Sequence, residues 1–430
     1  MQSGLRPTFR QDILVFRVKF VHMPDKNIKI KNKKNCCGCN ACHEACPKGC
    51  IEMRQDKMGC AYPHVNASNC ISCSLCLRIC PFIHPSAVLL PVESYAAVNQ
   101  DEEQRLASSS GGVFIGLAHR IIKRGGVVFG AVFAKDWSVR HTYAETMEGV
   151  LPMMGSKYLQ SDTRYTFGQA KRFLEDGRDV LYTGTPCQIA GLKHYLGKDY
   201  SNLLAVEVIC HGTPAPGVWN AYLEELQAQP EGTHWKNKVS MALKESPVIT
   251  AISFRDKRQG WKKFGFALIN ADESCYEPFT ENRYMAAFLQ NWSLRPSCYA
   301  CKAKGGTSQA DITIGDFWGI EKIATLEDDD KGSSCVICRT ERGMEVMKEL
   351  QDLSLSLVGY DMIRKGNPSL EESVPFTLSA KYFQWLFPRK GFFKTMNIIE
   401  HPSFFFRGAG FLLRQLISFR GKGNNKNRNQ

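Results

Sequence analysis

Two runs of cysteine residues are spaced as ligands of iron–sulfur clusters. Both runs follow C-x2-C-x2-C-x3-C, each is closed by a proline, and they consist of Cys36, Cys39, Cys42, Cys46 and of Cys70, Cys73, Cys76, Cys80. A 4Fe-4S cubane needs four thiolates, and in two-cluster ferredoxins each run lends its last cysteine to the other cluster. We therefore predict one cluster on Cys36, Cys39, Cys42 and Cys80, and a second on Cys70, Cys73, Cys76 and Cys46. A zinc module is the alternative, because CxxC pairs also hold zinc.

Four cysteines further along the chain can hold another cluster. They are Cys187, Cys210, Cys298 and Cys301. Cys187 lies between a predicted strand and a predicted helix, Cys210 follows the next strand, and loops at such places form the sites of α/β proteins. Four thiolates are the number that one cubane needs, so we predict a third 4Fe-4S cluster here. Alternatively, Cys187 is a nucleophile that the helix N-terminus and His211 activate.

The other cysteines of interest are predicted to pack in the interior. Cys37, Cys50 and Cys60 are left over beside the two runs, and free cysteine commonly behaves as a small buried side chain. Cys335 and Cys338 form a further CxxC within an apolar stretch that predicts a strand. Side chains three positions apart in a strand point to opposite faces, so these two are predicted to be core residues.

Two short segments rich in glycine and serine are candidate cofactor contacts. Residues 108–112 read SSSGG at a predicted helix start, and Gly155, Ser156 and Lys157 form the second segment. There is no G-x-G-x-x-G opening a strand–helix unit and no Walker loop, which disfavours a conventional dinucleotide fold and an ATPase. A helix start rich in hydroxyls can hold phosphate, and a lysine can neutralise it or stand beside a flavin. An ordinary helix cap and loop are the alternative.

Alternating helix and strand patterns must position these residues. Helices are predicted over 113–123, 165–175, 188–196 and 218–227, and strands over 126–134, 180–183 and 203–209. This alternation indicates an α/β sheet that is at least partly parallel. Residues 249–254 and 264–269 predict an antiparallel pair, residues 284–292 a helix, and residues 81–95 a linker. The sheet is therefore predicted to be mixed.

The positive charge is concentrated at the two ends of the chain. The 430 residues include 55 Lys and Arg and 42 Asp and Glu; residues 1–35 hold nine basic and two acidic residues, and residues 386–430 hold nine and one. The remaining body, with 37 basic and 39 acidic residues, is nearly neutral, which disfavours a nucleic-acid enzyme. The apolar, aromatic and basic segment 402–419 predicts either a peripheral contact with the inner face of the membrane or a helix that packs on the body.

The 18 cysteines cluster at ligand spacings, and residues 1–22 lack the apolar core and cleavage site of a signal peptide. These features predict a reducing, cytoplasmic location rather than a disulfide scaffold. No apolar run approaches the ~20 residues of a membrane-spanning helix. Either translation begins at Met23, or residues 1–22 form a loose extension.

Several motifs together resemble those of the coenzyme F420 hydrogenase/dehydrogenase beta subunit family. They are TGTPCQIAGLK at 183–193, CHGTPAPGVW at 210–219 and CYACKAKGGTSQADITIGDFWGI at 298–320, with SSSGGVF at 108–114 and GSKYLQS at 155–161. The resemblance covers roughly residues 36–385, including the fused ferredoxin module of some members. Asp311, Asp316 and Trp318 also match, without an assigned role.

This resemblance implies an iron–sulfur flavoprotein that binds FAD beside a 4Fe-4S cluster. The implied cluster ligands are Cys187, Cys210, Cys298 and Cys301. The implied flavin contacts are Ser109, Ser110, Gly111, Gly112, Gly155, Ser156 and Lys157. Lys157 and His211 are the candidate catalytic residues, and a fixed cation at Lys157 would favour negative charge on the reduced flavin or its phosphates.

We therefore expect an α/β core domain, with a mixed sheet and flanking helices, and a small α+β ferredoxin-like domain. The predicted units are a basic extension (1–34), the two-cluster domain (35–90), the flavoprotein domain (91–385) and a basic aromatic tail (386–430). The predicted function couples hydride transfer at FAD to one-electron transfer through three clusters, with a redox carrier or partner protein and a small-molecule hydride donor or acceptor. An electron-transfer subunit without its own substrate, and a cluster-bearing structural or sensing protein, are the alternatives.

Overall fold

The computed structural model describes residues 26–228, 248–270 and 274–401. The predictions for residues 1–22 and for the segment 402–419 lie outside the described residues.

A small module carries both cysteine runs. It contains the antiparallel hairpin β1 (Ile51–Gln55) and β2 (Ala61–Val65), and the one-turn helices α1 (Ala41–Glu44) and α2 (Leu75–Arg78). Each run begins in a loop and enters one of the two helices, with Asn40 or Ser74 in the left-handed conformation just before it. Ile28 is buried in the same core as Ile51 and Leu77, so the module begins before the predicted boundary at residue 35.

The larger part of the chain is built on an eight-stranded mixed sheet and a three-stranded sheet. Their strands are β3 (Glu93–Asn99), β4 (Val127–Phe133), β5 (Val139–Ala144), β6 (Val180–Gly184), β7 (Leu203–Val208), β8 (Ile249–Asp256), β9 (Gly265–Asn270), β10 (Ser274–Pro278), β11 (Ile312–Asp316), β12 (Ser334–Cys338) and β13 (Leu353–Leu357). The order in the large sheet is β13-β3-β12-β11-β7-β6-β4-β5. The four central strands β11, β7, β6 and β4 are parallel, and the outer pairings are antiparallel.

Helices cover both faces of the large sheet. They are α3 (Glu102–Ala107), α4 (Val113–Lys123), α5 (Met147–Val150), α6 (Thr166–Glu175), α7 (Pro186–Leu196), α8 (Pro216–Ala228), α9 (Arg283–Leu289), α10 (Glu341–Glu349), α11 (Tyr360–Gly366), α12 (Leu378–Lys390) and α13 (Phe392–Glu400). The fold class predicted from the sequence, a mixed α/β sheet plus a small α+β module, is confirmed. The predicted antiparallel pair is also confirmed as β8 and β9.

The two faces of the sheet bury different partners. On one face, Leu117 of α4 and Met347 of α10 pack on Val128 and Leu181. On the other face, Phe167 of α6 and Ile189 of α7 pack on the sheet together with Cys37, Cys39 and Ala41 of the cysteine module. The module is thus part of the core on this face, because its own side chains complete the hydrophobic layer.

Two further boundaries differ from the sequence-based predictions. Residues 93–95, predicted as linker, open strand β3, which pairs with both β12 and β13 in the interior of the sheet. The boundary predicted at residue 385 falls inside α12. Phe392 and Met396 of α13 are fully buried against Tyr222 of α8 and its neighbours, so the body continues to Glu400 because its aromatic core extends there.

Candidate functional site

The carboxyl ends of the parallel strands form the edge at which the predicted site residues meet. Cys187 lies in the first turn of α7, just after β6, and Cys210 follows β7 by two residues. A capping box between Thr185 and Gln188, with Pro186 at the first helical position, fixes the start of α7 and hence the position of Cys187. Crevices outside the carboxyl ends of parallel strands are the usual ligand sites of such sheets.

The four cysteines of the predicted third cluster come together at this edge. Cys298 and Cys301 lie in and just after the short 3-10 helix Pro296–Ala300, and the Thr213 backbone N–H lies 3.3 Å from the Cys298 Sγ. Burial, followed by the charges of Cys298, Cys187 and Cys301, raises the pKa of the Cys210 thiol well above its ordinary value. The Cys210 thiol is therefore close enough to the other three for their charges to affect its ionisation.

The cysteines of the two N-terminal runs lie in two groups, and their assignment as cluster ligands stays a prediction. Burial, and then the charges of Cys39, Cys36 and Cys80, raise the pKa of Cys42. In the second group, burial dominates the raised pKa of Cys76, and the charges of Cys73 and Cys46 add to it. None of the 18 cysteines forms a disulfide. Among the described residues, no three His, Cys, Asp or Glu side chains converge tightly enough for a single metal ion.

Cys37 lies between the module and the core site. Its thiol interacts with Cys187 and with Cys39, and these two interactions, followed by burial, raise the pKa of Cys37 well above its ordinary value. The contact with Cys37 also lowers the pKa of Cys187 to about 7, against the effect of burial. As predicted, Cys37, Cys50 and Cys60 are buried. The first predicted cluster set and the core set are therefore neighbours.

A cavity of about 720 Å³ opens beside the core cysteines. Ligand sites commonly have volumes of about 300–1,000 Å³. Its lining includes Cys187, Cys210 and Cys298 together with six of the seven predicted flavin contacts: Ser109, Ser110, Gly112, Gly155, Ser156 and Lys157. Gly111 and Cys301 are not part of the lining. The cavity thus joins the two glycine–serine segments to the four-cysteine group.

Hydrogen bonds tie the two glycine–serine segments together and to the sheet. The Ser156 backbone N–H donates to the Ser109 hydroxyl at 2.6 Å, and the Gly111 N–H donates to the Ser334 hydroxyl at 2.9 Å. A Cβ at Gly111 would lie 2.3 Å from the Ala97 carbonyl oxygen. Glycine is therefore required at Gly111 for the segment to approach strand β3 so closely.

The two candidate catalytic residues line the cavity, but their polar atoms have protein partners. The Lys157 ammonium donates to the carbonyls of Met154, Gly155 and Met153 at 2.9, 3.1 and 3.4 Å, and burial lowers its pKa to about 8. The His211 Nε2 lies 2.6 Å from the Asn291 Oδ1, and burial lowers the pKa of His211. An ammonium has three hydrogens, so those of Lys157 are engaged by the turn. The roles given to both residues stay predictions.

Comparison with known families identifies both parts of the chain. Residues 35–83 match the family described as 4Fe-4S dicluster domain. Residues 177–357 match the family described as the C terminus of the beta subunit of coenzyme F420 hydrogenase/dehydrogenase. Over residues 177–357 the chain is thus similar to this beta-subunit family, and a dicluster domain precedes that region. The protein is a beta-subunit-like oxidoreductase, and its N-terminal module belongs to a class that holds two 4Fe-4S clusters, as predicted.

A solved structure is also similar to the chain. A chain from the F420-reducing NiFe hydrogenase complex of Methanosarcina barkeri, solved as a xenon derivative, has 18% sequence identity and a TM-score of 0.42. The match covers 73% of the present chain and 93% of the other. No curated protein sequence matches at a significant level. Within the described residues, no helix is long and apolar enough to cross a membrane.

Sequence reasoning missed a buried arginine at the wall of the cavity. Arg255 of β8 lines the cavity although it is only 6% exposed. Its Nη2 donates to the Asp316 Oδ1 at 3.1 Å and to the Ser109 carbonyl at 3.3 Å, and its guanidinium lies 3.9 Å from the centre of the Phe264 ring. The buried Nε has no acceptor among the described residues. Arg255 therefore offers unused hydrogen-bonding capacity beside the cavity.

A second missed cation connects the dicluster module to the beta-subunit domain. Arg295 is 1% exposed and donates from Nε to the Cys36 carbonyl at 3.0 Å. It also donates to the Gln160 Oε1 at 2.8 Å and to the Ala61 carbonyl at 2.7 Å. A lone arginine has no spacing pattern, so its proximity to Cys298 in sequence was the one available signal.

Proposed function

We propose that this protein is an iron–sulfur flavoprotein oxidoreductase that couples hydride transfer at FAD to one-electron transfer through three 4Fe-4S clusters. The observation that carries the proposal is the cavity, whose wall contains three of the four core cysteines and both glycine–serine segments. Its volume and its mixed apolar and polar lining suit a cofactor-sized ligand. The four core cysteines, Cys187, Cys210, Cys298 and Cys301, supply the donor set of the third cluster.

The residues of the cavity have distinct tasks in this proposal. Bound FAD would accept or release a hydride as two electrons, whereas a cubane transfers one electron at a time. The start of α4 and the hydroxyls of Ser109 and Ser156 would bind phosphate and ribose oxygens. Arg255 would supply positive charge, because its guanidinium is buried at the wall and not fully bonded. Trp318 and Phe288 would enclose the ring system and exclude water.

The arrangement of the cysteines also suggests the route of electrons out of the site. The first run touches the core set through Cys37, as described above. The second run lies at the surface, where Cys73 is exposed and Ile71 is 58% exposed. The set of Cys36 would therefore hold the cluster next to the core set, and the set of Cys70 would hold the cluster nearest the surface, from which a partner could exchange single electrons.

An external redox protein would dock at the exposed second run. Lys26 and Lys48 lie beside Cys70 and Cys73, and the Arg78 Nη1 donates to the Cys73 carbonyl at 3.2 Å. All three basic side chains are exposed. Complementary charge steers such encounters, so we expect an acidic one-electron carrier as the partner. The hydride donor or acceptor would be a small molecule that enters the cavity.

Purification without oxygen tests the proposal directly. Three cubanes require about twelve irons per chain, with equal sulfide and one FAD. About eight irons would support the ferredoxin module alone, and stoichiometric zinc without iron would refute the iron–sulfur assignment. A protein that contains no flavin and cannot be reconstituted with FAD would instead be an electron-transfer subunit. Turnover with candidate hydride donors and a one-electron dye as acceptor then identifies the substrate.

A further inference from the structure

We infer that Arg295 is a positioning residue that raises the reduction potential of the cluster on Cys36, Cys39, Cys42 and Cys80, and so favours electron transfer from the core domain into the ferredoxin module. The inference rests on the ligand set proposed above for that cluster. It concerns a residue of the core domain that acts on a cofactor of the other module.

The contacts of Arg295 place its charge at the first cysteine run. The Nη2 lies 3.9 Å from the Cys36 Sγ, and the Nε donates to the carbonyl of the same residue. An added Cβ at Gly38 would lie 2.8 Å from the Nη1, so the loop closes directly on the guanidinium. The Tyr62 ring stacks on it with 4.6 Å between the guanidinium carbon and the ring centre. The guanidinium therefore contacts the ferredoxin module at Cys36, at the Gly38 loop and at Tyr62.

The same cation is linked to the core site. Its Nη1 donates to the Gln160 Oε1, and the Gln160 Nε2 donates to the Cys37 carbonyl at 3.0 Å. Cys37 in turn touches Cys187. Arg295 also lines the cavity and precedes Cys298 by three residues. It thus stands at the junction between two cluster sites rather than beside one of them.

Arg295 is a buried cation without a buried carboxylate. Among the described residues, no Asp or Glu forms an ion pair with it. An isolated buried charge is costly unless an opposite charge compensates it. A cubane on four thiolates is a net anion, and it gains one further negative charge when it accepts one electron without a proton. The reduced cluster therefore benefits most from the guanidinium, and the equilibrium shifts towards it.

The test is an anaerobic redox titration of the full-length holoprotein, followed by electron paramagnetic resonance. Cys42→Ala identifies the signal of the first cluster, because it removes one of its ligands. Arg295→Gln should lower the midpoint potential of that cluster by about 59 mV or more. This shift corresponds to at least a tenfold higher ratio of oxidised to reduced cluster at a fixed potential. Arg295→Lys retains the charge and should keep most of the potential.

Arg339→Gln is the matched control. Arg339 is equally buried, but its hydrogen bonds go to the Leu89 carbonyl and the Thr313 hydroxyl rather than to a cluster loop. It should lower the stability and leave the midpoint unchanged. The inference would be overturned if Arg295→Gln left the midpoint unchanged. It would also be overturned if Arg295→Lys shifted the midpoint, or lost iron, as much as Arg295→Gln does. If Cys42→Ala removes no signal, the ligand set itself is wrong and the inference falls with it.

Discussion

Two helix glycines provide a sensitive test of how the ferredoxin module packs on the core domain. Gly191 lies within α7 and Gly116 within α4. Replacement of a glycine by alanine inside a helix stabilises the folded state by about 0.5–1 kcal/mol when there is room for the methyl group. The two positions differ in what that methyl group would meet.

At Gly191 the methyl group would collide with a predicted cluster ligand. It would lie 2.9 Å from the Cys39 Cβ, 3.0 Å from the Cys39 Sγ and 3.3 Å from Phe167. Overpacking of a core typically costs about 1–3 kcal/mol, which exceeds the helical gain. We therefore expect Gly191→Ala to destabilise the protein by about 1 kcal/mol and to alter the spectrum of the first cluster.

At Gly116 the nearest atom to the methyl group would be the Leu353 Cδ2 at 3.4 Å, an ordinary contact. Gly116→Ala should therefore stabilise the protein by up to about 1 kcal/mol, and the two variants should differ by about 2 kcal/mol, or roughly 30-fold in the unfolding equilibrium. The assay is urea unfolding without oxygen, followed by circular dichroism and by cluster absorbance. Equal stabilisation by both substitutions would refute the close packing of α7 on the Cys39 loop.

Three further predictions concern the site and its surroundings. Cys298→Ala should remove about four irons per chain in iron analysis and most cluster-dependent turnover in activity assays. Cys335→Ala, in the core of β12, should leave the iron content and the turnover unchanged. Arg255→Met should weaken FAD binding at least tenfold in fluorescence titrations, and more than Lys157→Met does, because the ammonium of Lys157 already has three carbonyl acceptors. The buried His141 bonds to the Thr183 carbonyl and the Ser161 hydroxyl, and burial lowers its pKa to about 4. The unfolded chain therefore binds more protons than the folded protein, and the stability falls as the pH drops from about 6.5 towards 4. Urea unfolding should show a loss of about 2 kcal/mol between pH 7 and pH 5 in the wild type, and this loss should be absent in His141→Gln.

The local elements of the fold could be predicted because each has its own repeat. The helix predicted over 113–123 is observed as Val113–Lys123, since its apolar residues recur along one face. Cys335 and Cys338 lie in β12, and they belong to hydrophobic clusters on opposite sides of the sheet, as strand alternation requires. The two cysteine runs could also be recognised from the sequence, because ligand spacing is a local property of the chain.

Contacts between distant segments could not be predicted from one sequence. Arg295 meets Cys36 across 259 positions, and Arg255 meets Ser109 across 146. Strand β3 was not predicted for the same reason: its partners β12 and β13 come more than 200 residues later in the sequence. Lys157 was given a free charge, but the turn that precedes it folds back and presents three carbonyls to the ammonium. Whether an ammonium donates to nearby carbonyls in this way depends on the backbone conformation, which the residue type does not determine.

The burial of the first cysteine run bears on how the protein acquires its iron. Cys39 and Cys42 are buried, and Cys39 packs against α7, whereas Cys73 of the second run is open to solvent. A protein that delivers preformed clusters has to reach the receiving thiolates directly. If the proposed clusters are inserted preformed, the sets of Cys36 and Cys187 would have to receive theirs before these residues become buried, whereas the set of Cys70 would stay accessible through Cys73. Maturation would then proceed from the interior to the surface, and damage by oxygen would begin at the site that is easiest to repair.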